Sequence, residues 1–110
     1  MKKIIKLNIF GIRYQVKEVN DGDLNGADGR CCFWDRTIFI SKCEKWEEPD
    51  RTAYRKQVLR HEILHACLFE SGLGYNSMKS EAWAMNEEMV DWFAIQGPKV
   101  MKIWEQAGCL

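Results

Sequence analysis

The chain has 110 residues, 46% of them hydrophobic and 29% charged, and sixteen Lys and Arg balance sixteen Asp and Glu. This length and apolar fraction indicate a single folded domain over residues 1–110 rather than a disordered chain. The net charge of zero lacks the basic surplus typical of nucleic-acid-binding proteins, and no apolar run reaches the roughly 18 residues that cross a membrane. We therefore expect neither nucleic acid nor a membrane as a partner, while the composition leaves the oligomeric state open.

The amino-terminal segment alternates between apolar and polar residues, as a half-buried β-strand does. Residues 2–10 alternate, Gly11 permits a turn, and residues 14–19 alternate again, which predicts a β-hairpin. Lys6 and Asn8 interrupt the apolar stretch, and no small-residue cleavage site follows it, so the segment is not typical of a signal peptide. We therefore expect a cytoplasmic protein.

Two further β-favouring segments follow a loop that is rich in Asn, Asp and Gly. These segments are Cys31 to Trp34 and Thr37 to Ile40, and Asp35-Arg36 between them suits a tight turn. They predict a second hairpin, so the first third of the chain is expected to form a small antiparallel sheet.

The cysteine pattern indicates free thiols. The chain has five cysteines, an odd number, and no two of them form a C-x-x-C pair. Because neither a disulfide framework nor a cysteine-rich zinc site has supporting spacing, we interpret them as small buried residues in a reducing compartment. They are Cys31, Cys32, Cys43, Cys67 and Cys109.

The remainder of the chain predicts helices. A long helix fits about Arg51 to Ser71, with Gly72 as its C-terminal cap. A second helix fits Glu81 to Gln96, with Ser80 as its N-cap, and Gly97-Pro98 is expected to end it. Pro98 then opens a short last helix. Strands that come first and helices that follow predict an α+β domain.

The sharpest motif in the chain is His61-Glu62-Ile63-Leu64-His65, an H-E-x-x-H sequence inside the first predicted helix. Residues i and i+4 lie one turn apart on the same helix face, so the two imidazoles can bind one metal ion. They are the only histidines in the chain, and burying them with Glu62 costs several kcal/mol unless partners satisfy them. The alternative is a pair of core histidines that neighbouring groups satisfy.

A catalytic zinc ion usually takes three protein ligands, so the two histidines need a third. The second predicted helix offers Glu87 and Asp91, which are four residues apart and share a face with the small residues Ala84 and Ala94. We interpret this face as the surface turned toward the first helix. Glu88 lies roughly 100° away and is expected to face solvent, and it is the alternative third ligand.

The two motifs H-E-x-x-H and N-E-x-x-x-D, one on each helix, resemble those of the gluzincin zinc metallopeptidases. The resemblance implies that one Zn²⁺ per chain is bound by His61, His65 and Glu87. It also implies that Glu62 is the general base and that Asp91 holds the imidazole of His61. A carboxylate in that position fixes the tautomer of the ligand and raises its basicity.

The same resemblance, which covers about Arg51 to Gln96, has implications for the fold and the substrate. It implies a zincin-like α+β domain with N-terminal antiparallel β-hairpins, two metal-ligand helices and a short C-terminal helix. A sheet edge beside the active-site helix then pairs with the substrate backbone, so Thr37 to Ser41 is the candidate edge strand for a peptide or protein substrate. The size is similar to small metallopeptidase-like proteins of phages and prophages, which act in the bacterial cytoplasm or the infected host cell.

The activity that the resemblance implies is hydrolysis of a peptide bond by a zinc-activated water, with Glu62 accepting a proton and passing it to the leaving amine. The oxyanion needs a second stabilising group. Thermolysin-like members use a Tyr and a further His, but this chain has no third His. Tyr75, between the two ligand helices, is the candidate by resemblance, and Tyr14, Tyr54 and Arg60 are weaker candidates.

Two other functions are compatible with the same motifs. In the first, the zinc is structural and pins two helices of an interaction module of mobile-element origin without peptidase activity. A fourth protein ligand such as a Cys favours this function, whereas an open position that faces a groove favours an enzyme. In the second, the chain is a latent peptidase whose C-terminal tail occupies the cleft, with Cys109 as the group that reaches the metal.

Overall fold

A computed structural model describes residues 4–74, 80, 82–107 and 109–110. These residues form four strands followed by two α-helices, which confirms the α+β class. The strands are β1 Ile4–Ile9, β2 Ile12–Val19, β3 Gly29–Cys32 and β4 Thr37–Ser41, and the helices are α1 Asp50–Leu68 and α2 Glu87–Ala107. A π-helical turn, Phe69–Leu73, follows α1, and a 3₁₀ turn, Trp83–Met85, precedes α2.

Both predicted hairpins form, although β3 lies two residues earlier than the predicted Cys31 to Trp34, and they join into a mixed sheet. The strand order β1-β2-β4-β3 places β2 beside β4 as a parallel pair, while β1 with β2 and β3 with β4 are antiparallel. The first hairpin turns through Phe10 and Gly11, whose φ values of 53° and 89° suit the tight turn that connects two twisted strands. The pairing within each hairpin is antiparallel as predicted, and a parallel pair joins the two hairpins at the centre, so the sheet as a whole is mixed rather than antiparallel.

The predicted edge strand, Thr37–Ser41, lies inside the sheet. It pairs with β2 on one side and with β3 on the other. Its residues Ile38 and Ile40 are 0% and 4% exposed, and nearly continuous burial is typical of strands that have neighbours on both sides. The assignment of an edge to these residues is therefore wrong. The free edges belong to β1 and β3, and β3 is the one that lies against α1 beside the two histidines.

One face of the sheet packs against α1 to form the core. Apolar side chains of β1, β2 and β4 pack against Val58 and Ala66 of the helix. The helix thus covers the apolar face of the sheet that the alternation of the strand residues predicts. The helix begins one residue before its predicted start, and its last regular residue is Leu68. Gly72, the predicted cap, has a φ of 99° and interrupts the helical path. The buried core residues are Ile9, Tyr14, Val16, Ile38, Ile40, Val58 and Ala66.

The second helix starts later than the sequence predicts. Glu81 lies outside the described residues, and Ser80 lies in a turn rather than at the start of a helix. Asn86 is the residue that caps α2, because its side-chain Oδ1 accepts a hydrogen bond of 2.7 Å from the backbone N–H of Met89. Glu87 is therefore the first helical residue, and its carboxylate lies at the positive end of the helix dipole.

The second helix also continues past Gly97 and Pro98, so the predicted break and the separate C-terminal helix are both wrong. A proline has no N–H to donate to the carbonyl four residues earlier, which here is that of Ala94. The guanidinium of Arg60 on α1 replaces that donor, because its Nε donates to the Ala94 oxygen at 2.6 Å. Ala94 is fully buried, so its carbonyl needs a partner within the protein. Arg60 of α1 supplies that partner in place of the N–H that Pro98 lacks.

This replacement predicts that Arg60 and Pro98 are energetically coupled. Arg60→Met should lower the free energy of unfolding by about 1–3 kcal/mol, because it leaves a buried carbonyl without a donor. In a Pro98→Ala background the residue at position 98 supplies its own N–H, so the same substitution should cost much less. Urea unfolding of the four proteins measures the coupling, with the exposed Lys56→Met as the matched control. An equal cost of Arg60→Met in both backgrounds would contradict the explanation.

Candidate metal centre

Three side chains from the two helices converge on one point. His61 and His65 lie one turn apart on α1, and their Nε2 atoms are 3.2 Å apart. Glu87, at the start of α2, places Oε1 2.9 Å from Nε2 of His61 and 2.8 Å from Nε2 of His65. The i, i+4 spacing and the capped start of α2 thus bring together the three predicted ligands, a group that can hold a metal ion.

The opposite nitrogen of each imidazole is held by an acceptor. His65 Nδ1 lies 2.6 Å from the carbonyl oxygen of Ala84, and because a carbonyl only accepts, this nitrogen carries the proton. His61 Nδ1 lies 3.2 Å from Oδ1 of Asp91, which is the contact that the sequence analysis predicts for this carboxylate. Both contacts direct the hydrogen to Nδ1 and leave the Nε2 lone pairs facing Glu87.

This arrangement has the chemistry of a cation site. In the neutral tautomer that these contacts favour, two nitrogen lone pairs and a carboxylate oxygen face each other at 2.8–3.2 Å with no hydrogen between them. Such acceptors repel unless a proton or a cation lies between them. Four ligands at roughly 2.0–2.1 Å around a tetrahedral zinc ion are about 3.3 Å apart. The spacing of the two nitrogens, 3.2 Å, is close to that value.

Ionisation of the two glutamates differs because their surroundings differ. Burial of Glu62 is the largest influence and raises its pKa, although the neighbouring His61 and His65 partly oppose this. Burial acts on Glu87 in the same direction, but hydrogen bonds and charge from the two histidines outweigh it and lower its pKa. The lowered pKa favours the ionised form of Glu87, which a metal ligand requires, while the raised pKa makes Glu62 the better proton acceptor of the two.

Two cavities, with volumes of about 520 and about 270 Å³, lie at the candidate metal centre, and because they share lining residues we describe them as the two halves of one groove. Both halves are lined by Ala27 and Gly29 from the sheet side, by Glu62 from α1 and by Glu87 from α2. The side chain of Glu87 is 72% exposed, whereas that of His65 is 7% exposed. The group of three that can hold a metal ion is thus buried on its histidine side and open toward the groove.

The remaining candidate residues lie in different places. Glu88 is exposed on the wall of the groove, outside the group of three ligands. Tyr54 also lines the groove, and its hydroxyl donates to Oδ2 of Asp28 at 2.6 Å. The hydroxyl of Tyr14 donates to Glu70 inside the core, and Arg60 is bonded to α2 as described above. Tyr75, the candidate oxyanion group, lies outside the described residues.

The cysteines do not take part in the group. All five are free thiols, as expected, but only Cys43 is buried and Cys109 is exposed, so the interpretation of all of them as buried residues is wrong. Cys109 lies two residues after the last residue of α2, and its backbone N–H donates to the carbonyl of Trp104. Its exposed thiol lies 3.6 Å from the same oxygen. Among the described residues, the group that can hold a metal contains His61, His65 and Glu87 and no sulfur ligand.

Two contributions to the site come from the backbone, and the sequence analysis missed both. The carbonyl of Ala84 orients His65, and it can do so because the 3₁₀ turn before α2 directs it toward α1. Gly29 lets β3 approach Glu62 closely, since a side chain at this position would meet that carboxylate. No side-chain motif signals the first of these contributions, and Gly29 was missed because it lies in the loop before the predicted strand, whereas β3 begins at this residue.

The fold and the site together define an α+β domain with a two-histidine, one-carboxylate group that can hold a metal ion. A scan against models of known protein families, a search of curated proteins and a search of solved structures each return no match. In the described part of the chain, neither helix combines the length and the hydropathy that a membrane span requires.

Proposed function

We propose that the protein is a zinc-dependent metallopeptidase of the gluzincin type. The observation that carries this proposal is the convergence of three acceptor atoms from His61, His65 and Glu87 beside the buried carboxylate of Glu62. A purely structural pair of core histidines does not need a second, buried carboxylate at the same place. The groove that exposes this group to solvent supports an enzyme over a closed structural site.

The donor set supports zinc as the metal. Two imidazole nitrogens and one carboxylate oxygen form the ligand set of several catalytic zinc sites, which leave a fourth position for water or substrate. The contacts of Asp91 and Ala84 hold both imidazoles in the tautomer that binds a metal through Nε2. Purified without chelator, the protein is therefore expected to contain about one zinc ion per chain.

In the proposed reaction, the residues of this chain bind, orient and move a proton. When bound, zinc acidifies water and polarises the scissile carbonyl. Glu62 accepts a proton from the attacking water, and burial favours this step because it makes the carboxylate a stronger base. Glu62 then donates a proton to the departing amine nitrogen. The single hydroxyl hydrogen of Tyr54, on the groove wall, is donated to Asp28, so Tyr75 stays the candidate for a second contact with the oxyanion.

We propose that the substrate is an extended peptide that pairs with β3. The backbone N–H of Ser41 donates to the carbonyl of Asp28 at 2.8 Å. Alternation in an antiparallel pair then directs the N–H and C=O groups of Gly29 and Cys31 away from β4, toward the open edge. A peptide strand added there would run along the groove and across the ligands, the role that the sequence analysis assigned to β4.

Hydrolysis of a peptide library tests the proposed activity. Zinc-loaded protein should cleave at least one pool of quenched-fluorescent decapeptides with randomised central positions. EDTA should abolish the cleavage, and added zinc should restore it, because the metal is needed for turnover and not for the fold of the sheet. Protein with one bound zinc per chain that cleaves no pool would contradict the proposal.

One observation favours a second candidate, the zinc-stabilised interaction module. Helix α2 exposes large apolar side chains, with Trp92, Ile103 and Trp104 being 52%, 61% and 47% exposed. Exposed apolar groups of this size are typical of surfaces that bind another protein. A module of this kind would bind its partner equally well after Glu62→Gln, whereas a peptidase would lose its activity.

A further inference from the structure

Gly29 is the point at which the free edge of the sheet meets the proposed general base. A Cβ atom built on this residue would lie 2.6 Å from Cγ1 of Val58 and 3.0 Å from both Cγ and Oε2 of Glu62. Gly29 does not have the positive φ of Gly11 or Gly72. A glycine is therefore required because there is no room for a side chain, and not because of the backbone conformation. The close approach is between β3 and the turn of α1 that carries Val58 and Glu62.

The same residue lines both halves of the groove. Its backbone N–H and C=O face the open edge of β3, for the reason given above, so they are available to a bound peptide. At Gly29, the direction in which a side chain would point thus faces the proposed base Glu62, while the backbone N–H and C=O are free to form hydrogen bonds with a substrate. A displacement of β3 at this position would change the distance between the substrate and Glu62.

We infer that Gly29 is a positioning residue, which sets the distance between the edge strand that binds the substrate backbone and the carboxylate that accepts the proton. This inference rests on the proposed function. Its physical basis is that reaction rates depend steeply on the alignment of the reacting groups, and a misplacement of about 1 Å can cost on the order of 100-fold in rate. The three atoms nearest to the added Cβ belong to Val58 and Glu62 and not to the proposed metal ligands, so zinc binding is expected to be independent of Gly29.

Alanine at position 29 tests the inference. Gly29→Ala should keep one zinc per chain but lower kcat/KM on the cleaved peptide pool by about 10- to 100-fold. Gly97→Ala is the matched control, because a Cβ at Gly97 meets no atom within 4 Å among the described residues, and this variant should be as active as the parent. Equal activity of Gly29→Ala and the parent would overturn the inference.

A double variant separates positioning from simple packing. Val58→Ala removes the closest contact of the new Cβ, which lets the Gly29→Ala strand pack and fold, but it leaves the two contacts with Glu62. Gly29→Ala/Val58→Ala should therefore remain at least about fivefold less active than Val58→Ala alone. Full recovery in the double variant would show that the glycine serves only the packing of β3 on Val58.

A binding measurement tests the inference without turnover. Acetohydroxamate is small enough to reach only the metal and Glu62, whereas a tripeptide hydroxamate also extends along β3. In titration calorimetry of zinc-loaded protein, Gly29→Ala should weaken the tripeptide hydroxamate about 10-fold more than acetohydroxamate. An equal effect on both would overturn the inference. If the parent cleaves no peptide but this difference is found, the proposed catalytic function fails while the positioning role stands.

Discussion

Replacing Glu62 with Gln is expected to lower peptide hydrolysis by about 100- to 10,000-fold, the range that positioned general bases contribute. An amide is nearly the same size as a carboxylate but cannot accept a proton at neutral pH. Because Glu62 lies outside the three-ligand group, the variant should still bind about one zinc per chain. The measurements are kcat/KM on the cleaved peptide pool and zinc content of the same preparation.

The control for this prediction is Glu105→Gln, which makes the same change at an exposed position near the end of α2. It should have the activity of the parent. A Glu62→Gln protein that cleaves as well as the parent would remove Glu62 from the mechanism. Loss of zinc together with loss of activity would instead indicate that Glu62 supports the metal rather than the proton transfer.

Replacing Glu87 with Ala is expected to reduce zinc affinity by at least about 100-fold, since even residues behind the ligands typically contribute 10- to 100-fold. The side chain of Glu87 is 72% exposed, so its removal leaves no cavity in the core, and the unfolding transition measured without metal should change little. Competition titration against a zinc chelator gives the affinity. In the parent, saturating zinc should raise the melting temperature, and this increase should disappear in Glu87→Ala.

Glu88→Ala is the matched control, because it truncates the next residue of the same helix turn. Glu88 is exposed on the groove wall and lies outside the ligand group, so zinc affinity should stay close to that of the parent. The opposite result, with loss of zinc on truncation of Glu88 and not of Glu87, would show that the other carboxylate is the ligand. It would also require α2 to turn by roughly 100° relative to its position here.

Local geometry explains why much of the site could be predicted from the sequence. The i, i+4 spacing of His61 and His65 fixes both imidazoles on one helix face, whatever else the chain does. Glu87 and Asp91 share a helix face for the same reason. Both therefore lie beside the histidines, Glu87 as the predicted third ligand and Asp91 as the carboxylate predicted to hold His61. The hairpins follow from alternation and turn residues, which are also local signals.

The features that could not be predicted depend on contacts between distant parts of the chain. A proline inside a helix favours a break because it leaves the carbonyl four residues earlier without its helical donor. Here Arg60, 34 residues before Ala94, donates to that carbonyl instead. The parallel pairing of β2 with β4 makes Thr37–Ser41 an interior strand, and nothing within either hairpin specifies this order. The Ala84 carbonyl acts through its backbone, which any residue type could supply.

The most direct test of the central claim is an anomalous difference map, recorded at the zinc absorption edge from crystals of protein purified without chelator. The account predicts a single strong peak at about 2.0–2.2 Å from Nε2 of His61, Nε2 of His65 and one carboxylate oxygen of Glu87. A map without a peak at the two histidines, or with Glu87 turned away from them and no other carboxylate or thiol in its place, would contradict it.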